Sequence, residues 1–151
     1  MVKQKWKHSV DHTSRIVTNI IDRDKINKPR RRRVKLKAVP RKGEIYWCDY
    51  PPPECLHLPE FWKRRPVVIL SRNATLRGIV MVVPMTSQEQ SDPYLSVQIQ
   101  SPINSEIVWV ICNHITTVAV SRLLPVKGRP VVSRDIYQDI LREVLNNLAN
   151  A

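Results

Sequence analysis

Cysteine is scarce and odd in number: Cys48, Cys55 and Cys112 are the only three in 151 residues. Their spacing makes neither a CxxC metal pair nor the framework of a disulfide-stapled secreted domain. Cys48 and Cys112 lie in apolar, strand-like runs and read as small core residues. Cys48, Cys55 and His57 lack the spacing of a zinc site. A protein without metal or cofactor, in a reducing cytoplasmic compartment, is expected. Long apolar runs are missing too. No stretch reaches the roughly 18 residues of a membrane span, and no apolar core of a secretory signal follows the first residue. Residues 13–25 (TSRIVTNIIDRDK) suit at most a short amphipathic helix through Ile16, Val17, Ile20 and Ile21. No internal repeat is visible.

Acidic residues are nearly missing from the first 42 positions. That segment holds 15 of the 25 Lys and Arg but only Asp11, Asp22 and Asp24 of the 13 acids, so it carries the whole net charge of +12. From residue 43 onward the remaining cations and acids balance. A basic arm on a neutral body points to a polyanionic partner, nucleic acid first, with a solubilising tail as the plainer account. With few aromatics and four consecutive arginines after Pro29, residues 1–42 are expected to be mostly disordered and residues 43–151 to form the domain.

In the domain, β-forming runs alternate with turn signals. GEIYWCDY places a strand at 44–50, ahead of three prolines at 51–53. Residues 51–65 read as loop, PVVILS (66–71) as a second strand and IVMVVPM (79–85) as a third. YLSVQIQ (94–100) alternates Leu95, Val97 and Ile99 with polar residues, the period of a half-buried strand. IVWVICNHI (107–115) is a mostly buried strand, and TTVAV (116–120) extends the sheet or starts another strand. Ser133 is placed to cap a helix with Asp135 in its first turn. Ile136, Ile140, Leu141, Val144, Leu145 and Leu148 then share one helical face. The expected fold is mainly β: a small curled barrel of five to seven strands with a C-terminal helix.

One stretch carries chemistry. PEFWKRRP (59–66) packs Glu60 and three cations between two prolines, just before a strand. Arg65 sits at that strand's mouth, where strand ends hold groups more rigidly than loop tips do. The third strand leaves the sheet through VPMTS, presenting Thr86 and Ser87. If strands two and three form an antiparallel hairpin, Arg65 and Thr86 are neighbours, with Glu60 on a loop able to fold over them. A carboxylate, a guanidinium and a hydroxyl suffice to cleave RNA. The carboxylate accepts the 2′-hydroxyl proton, the arginine binds the phosphate through two N–H groups, and the hydroxyl holds a phosphate oxygen. RNA supplies its own nucleophile, so no metal is required. The plainer account is a Glu60–Arg65 surface ion pair worth about 0–1 kcal/mol.

From about Gly43 to the C-terminal helix the chain resembles the MazF/PemK toxin family of type II toxin–antitoxin pairs. The resemblance rests on GEIYWCDY, RPVVILS, VVPMTS, SEIVWVICNHITTVAVSRL and a terminal helix. Glu60 and Arg65-Pro66 keep the spacing of the family's Glu-to-Arg-Pro loop. The resemblance implies an SH3-like barrel, a homodimer, and a partner antitoxin with an acidic, partly disordered segment. It also implies a sequence-selective, metal-independent endoribonuclease, an mRNA interferase leaving a 2′,3′-cyclic phosphate and a 5′-hydroxyl. By resemblance Glu60, Arg65 and Thr86 are the catalytic residues. Trp62, Lys63, Arg64 and Ser87 would bind single-stranded mRNA, the aromatic ring by stacking.

The chain also departs from the pattern. No glycine stands near Lys63 or Arg64, and Phe61-Trp62 makes the loop bulkier. Where many relatives read Asp-Gln-x-Arg, this chain has Asn113, His114 and Thr116, and an upstream arginine of some relatives is Ile111. His114 is read either as an acid near neutral pH or as a bonded strand histidine, and His57 as a further acid in the loop. The loss of the acid at Asn113 and the charge of residues 1–42 leave open an RNA-binding relative that works through its basic arm. The same barrel also serves CcdB-like toxins that bind DNA gyrase and cleave nothing, a reading that the retained Glu60, Arg65-Pro66 and Thr86 oppose.

Overall fold

The computed structural model describes residues 33–149, except 52–54, 56, 58, 59 and 73. The amphipathic stretch at 13–25 and most of the basic arm lie outside the described residues. Seven antiparallel strands and one helix make up the domain: β1 (Ile45–Asp49), β2 (Arg64–Ile69), β3 (Ile79–Thr86), β4 (Ser96–Gln100), β5 (Ile107–Ile111), β6 (Thr116–Ala119), β7 (Leu123–Pro125) and α1 (Arg134–Ala149). A single 3-10 turn, Val120–Arg122, joins β6 to β7.

The strand order is β4-β5-β3-β2-β1-β7, with β6 added to β3. The long strand β3 does the curling. Its first half, Ile79–Val82, pairs with β6, its last two residues pair with Val110 and Trp109 of β5, and its other edge pairs with β2. One strand serving three partners has to bend between them. The right-handed twist of the strands then carries the sheet into an open, barrel-like curl.

Because side chains alternate across a strand, adjacent residues face opposite sides. Here both sides are buried. Ile45, Val68, Val83 and Met85 enter one core with Tyr137, Ile140 and Val144 of α1. Their neighbours Tyr46, Val67, Ile69 and Val82 enter a second core with Val118, Val120 and Leu123. This accounts for the unbroken apolar run VVIL, since a strand covered on both faces needs no polar alternation, whereas in VMVV Met81 reaches solvent.

Residues 33–42, grouped in sequence with the basic arm, pack on the domain. Val34 and Leu36 lie against the second core and Pro40 is buried, while Arg33, Lys35 and Lys37 stay exposed. The helix also differs from its expected face. Ser133 Oγ does accept from the Ile136 N–H at 3.3 Å, as a cap should. The buried stripe, however, is Tyr137, Ile140 and Val144. Ile136 and Leu141 are half-buried at its flank, and Leu145 and Leu148 remain 60% and 64% exposed. The sheet covers only a narrow stripe of α1, so apolar residues rotated off that stripe reach solvent. No described helix is long and apolar enough to cross a membrane.

Candidate active site

β2 begins two residues earlier than its apolar run. Asp49 and Cys48 of β1 pair with Arg64 and Arg65, which extends the ladder into the charged stretch. The two arginines therefore alternate across the strand. Arg64 Nε donates to Asp49 Oδ1 at 2.7 Å. Arg65 points elsewhere: its guanidinium carbon lies 4.8 Å from the centre of the Phe61 ring. Its Nε is buried and has no hydrogen-bond partner among the described residues. An unsatisfied buried donor costs about 1–3 kcal/mol, more when charged, and natural folds rarely tolerate one without a reason.

β2 and β3 form the antiparallel hairpin that neighbours Arg65 and Thr86 require, in the register Val67↔Pro84, Val68↔Val83, Ile69↔Val82. Carried two residues further, that register sets Arg65 across from Thr86. Thr86 is half-buried at the end of β3, and its Oγ1 accepts from the Gln88 N–H at 3.1 Å. Ser87 follows it, exposed. Glu60 is not drawn to Arg65 by any described contact. It is exposed, and its Oε2 accepts from the His57 N–H at 3.2 Å, folding the carboxylate onto its own loop.

Lys63 has φ 71°, the left-handed region that favours glycine, in a loop whose sequence lacks one. The backbone bend is thus kept without the residue that makes it easy, at a strain of about 1–2 kcal/mol. Its ammonium lies 4.1 Å over the Trp62 ring, and that ring is exposed.

Sequence reasoning missed how the aromatics surround Arg65. Phe61 carries the guanidinium and also lies 4.6 Å from the His114 ring and 6.3 Å from that of Tyr50. Tyr50 was not singled out at all, although an aromatic at a strand end before three prolines was the available signal. Its hydroxyl is buried without a partner among the described residues. Burial pushes its pKa up, the nearby Cys48 adds to the rise, and Arg65 opposes it. Burial holds the His114 imidazole below the usual histidine range, which favours the neutral ring. Cys48, fully buried, has its thiol pushed up to about 12, mainly by burial. Ile111 is buried at the end of β5, whereas Asn113 is exposed in the turn that follows. A cavity of about 390 Å³ lies elsewhere, lined by residues 35–38, Glu44, Tyr46, Pro125 and Arg129.

Comparison with known proteins bears on this arrangement. The family of PemK-like, MazF-like toxins of type II toxin–antitoxin systems matches residues 41–148. Among solved structures, the chain is similar to MazF (Form-I) from Deinococcus radiodurans, at 19% identity and a TM-score of 0.60. That match covers 74% of this chain and 98% of the other. It is also similar to an endoribonuclease in complex with its cognate antitoxin from a mycobacterial species, at 22% identity and a TM-score of 0.55, covering 74% and 97%. The MazE–MazF complex (Form-II) from Deinococcus radiodurans aligns at 19% identity and a TM-score of 0.56, covering 75% and 98%. At such identities the likeness establishes the fold. No curated protein matches. The family match spans most of the chain and all of the described sheet and helix up to Leu148, so this protein belongs to the PemK-like, MazF-like toxins of type II toxin–antitoxin systems.

Proposed function

We propose that this toxin is a metal-independent, sequence-selective endoribonuclease acting on single-stranded mRNA. The observation that carries the reading is Arg65, a guanidinium held at a strand mouth with a buried, unpartnered Nε. A phosphate there would satisfy that donor and draw charge-assisted bonds, which are the stronger kind. Thr86, across the extended β2–β3 register, would hold a second phosphate oxygen. Glu60 would accept the 2′-hydroxyl proton. The 2′ oxygen attacks phosphorus, the bond to the 5′ oxygen breaks, and that oxygen takes a proton from water. The products are a 2′,3′-cyclic phosphate and a 5′-hydroxyl. Arg65 would stabilise the charge that grows on the phosphoryl oxygens, a role worth about 10²–10³ in rate. In this reading Glu60 exchanges its bond to His57 for the RNA. Trp62 offers a stacking face, and Lys63, Arg64 and Ser87 face the backbone.

The neighbouring complexes contain antitoxins, and we assign this chain a cognate antitoxin with an acidic segment. Exposed Leu145 and Leu148 on α1 fit burial against a second copy as a cytoplasmic homodimer. The test uses purified protein free of antitoxin, incubated with a long mixed RNA in EDTA beside Arg65→Ala. Discrete cuts with cyclic phosphate ends, lost in the variant, are expected. Intact RNA in both samples, with both proteins folded, would overturn the assignment.

A further inference from the structure

The segment just before the barrel is built as a two-sided strap. Along Arg33–Lys37 exposure alternates: Arg33, Lys35 and Lys37 face solvent while Val34 and Leu36 are partly buried against the second core. A disordered basic tail has no reason to anchor every second residue. Packing of the valine and leucine fixes the three cations along one face.

That face leads into the site. Lys35 Nζ lies 4.0 Å from Asp49 Oδ2, and the same carboxylate takes Arg64 Nε at 2.7 Å through its other oxygen. Arg122 Nη1 donates to the Asp49 backbone carbonyl at 3.0 Å. Three cations thus converge on one acid, two positive charges more than that carboxylate offsets among the described residues. The side chains of Lys35 and Arg64 are 54% and 56% exposed, so that excess is open to a polyanion. Arg65, the next residue after Arg64, turns its guanidinium to the aromatic cluster. Through Asp49 the exposed cations therefore lead from Lys35 to Arg64, next in the chain to the residue proposed to hold the phosphate.

Resting on the endoribonuclease reading, we propose that Arg33, Lys35 and Lys37 form an extended RNA subsite that holds phosphates flanking the one being cut. Single-stranded RNA is the partner the surroundings favour. Arg64 follows exposed Trp62 by two residues, and cations beside an exposed aromatic ring suit a strand whose bases stack while its backbone is neutralised. An acidic polypeptide would use the charge but not the rings.

The experiment uses the full chain and a 20-nucleotide RNA with 2′-O-methyl groups, which binds but is not cut. Affinity is measured by fluorescence anisotropy between about 50 and 200 mM salt, the range over which phosphate contacts show most clearly. Each phosphate contact to a single strand contributes about −0.7 to the slope of log K against log salt. Replacing Arg33, Lys35 and Lys37 together with Gln should lower the slope by about 2 and weaken binding about a hundredfold at 0.1 M salt. The charge-keeping set Arg33→Lys, Lys35→Arg, Lys37→Arg should restore both, and Arg142→Gln on α1 should keep the wild-type slope. An unchanged slope in the triple Gln variant overturns the subsite while leaving the cleavage reading intact. Loss of binding to polyglutamate with RNA binding unchanged also overturns it and reassigns the strap to an acidic polypeptide. Failure of the wild-type chain both to bind this RNA and to cut the unmodified one overturns the two readings together.

Discussion

Two arginines of this domain are treated in opposite ways. Arg129 stands at φ 51°, just after Gly128, and donates through Nη2 to Glu44 Oε1 at 3.2 Å. Glu44 is buried and fully served: its other oxygen accepts from the Arg41 N–H at 2.9 Å and from the Tyr46 hydroxyl at 2.7 Å. Burial, then the bond to Glu44, pushes the Tyr46 hydroxyl up to about 12. Arg65, by contrast, has a buried Nε that finds no acceptor among the described residues. The Glu44 corner holds the fold together, because each buried polar atom has found its partner there. At the Arg65 corner the buried Nε has no partner among the described residues, and in the proposed function a phosphate would supply one. A satisfied network stabilises, whereas an unpartnered buried donor costs stability.

The contrast breaks most sharply on activity. Arg65→Ala should lower RNA cleavage by about 10²–10³ and leave the melting temperature unchanged or higher, since it removes an unsatisfied buried donor. Cleavage assays beside thermal melts check this, and a variant that unfolds would place Arg65 in the Glu44 class. Glu44→Ala should do the reverse at similar size. It strands the Tyr46 hydroxyl and the Arg41 amide, and about 3 kcal/mol of stability should go with it, read as an early urea midpoint.

A smaller effect sharpens the picture of the site loop. Lys63→Gly relieves a left-handed lysine, offset by the greater freedom of glycine in the unfolded chain. A net gain of about 0.5–1 kcal/mol is expected, or a melting temperature higher by about 2–5 °C. An unchanged or lower value would mean the Lys63–Trp62 contact compensates the strain.

The smallest effect is in pH. Burial lowers the folded-state affinity of His114 for a proton, and its ring faces Phe61, with the Arg65 guanidinium on the same phenyl ring. The unfolded chain then binds more protons than the folded one below the usual histidine range. Stability is complete above about pH 6.5 and falls as pH drops below it. His114→Gln should flatten the decline in melting temperature between pH 7 and 5, and an equal decline in both proteins would remove His114 as its cause.

Much of the fold was legible because central strands announce themselves. The runs at 66–71 and 79–85 are apolar enough to be strands in any context, and Gly43, at φ 80°, marks the turn into the domain. The missed pieces were decided by partners. Arg64 and Arg65 look like loop until Asp49 and Cys48 pair with them. β5 stops at Ile111, four residues before its apolar run ends, because Cys112 and Asn113 turn toward β6. β7 is only Leu123–Pro125, an edge strand where a proline is tolerated because no donor is needed on its outer side.

Residue types and their spacing along the chain determined the class of fold, the helix cap at Ser133 and the place of Arg65 at the mouth of a strand, since these follow from local periodicity and turn chemistry. Spacing also put Glu60 within five residues of Arg65, but closeness in sequence does not aim a carboxylate. A local turn set Glu60 on His57, three residues away, but only the tertiary structure decided that Phe61 gathers Arg65, His114 and Tyr50, and that Val34 and Leu36 bind a basic segment to the barrel. Each of these depends on which distant surfaces come together to exclude water, and that is a property of the packed domain as a whole.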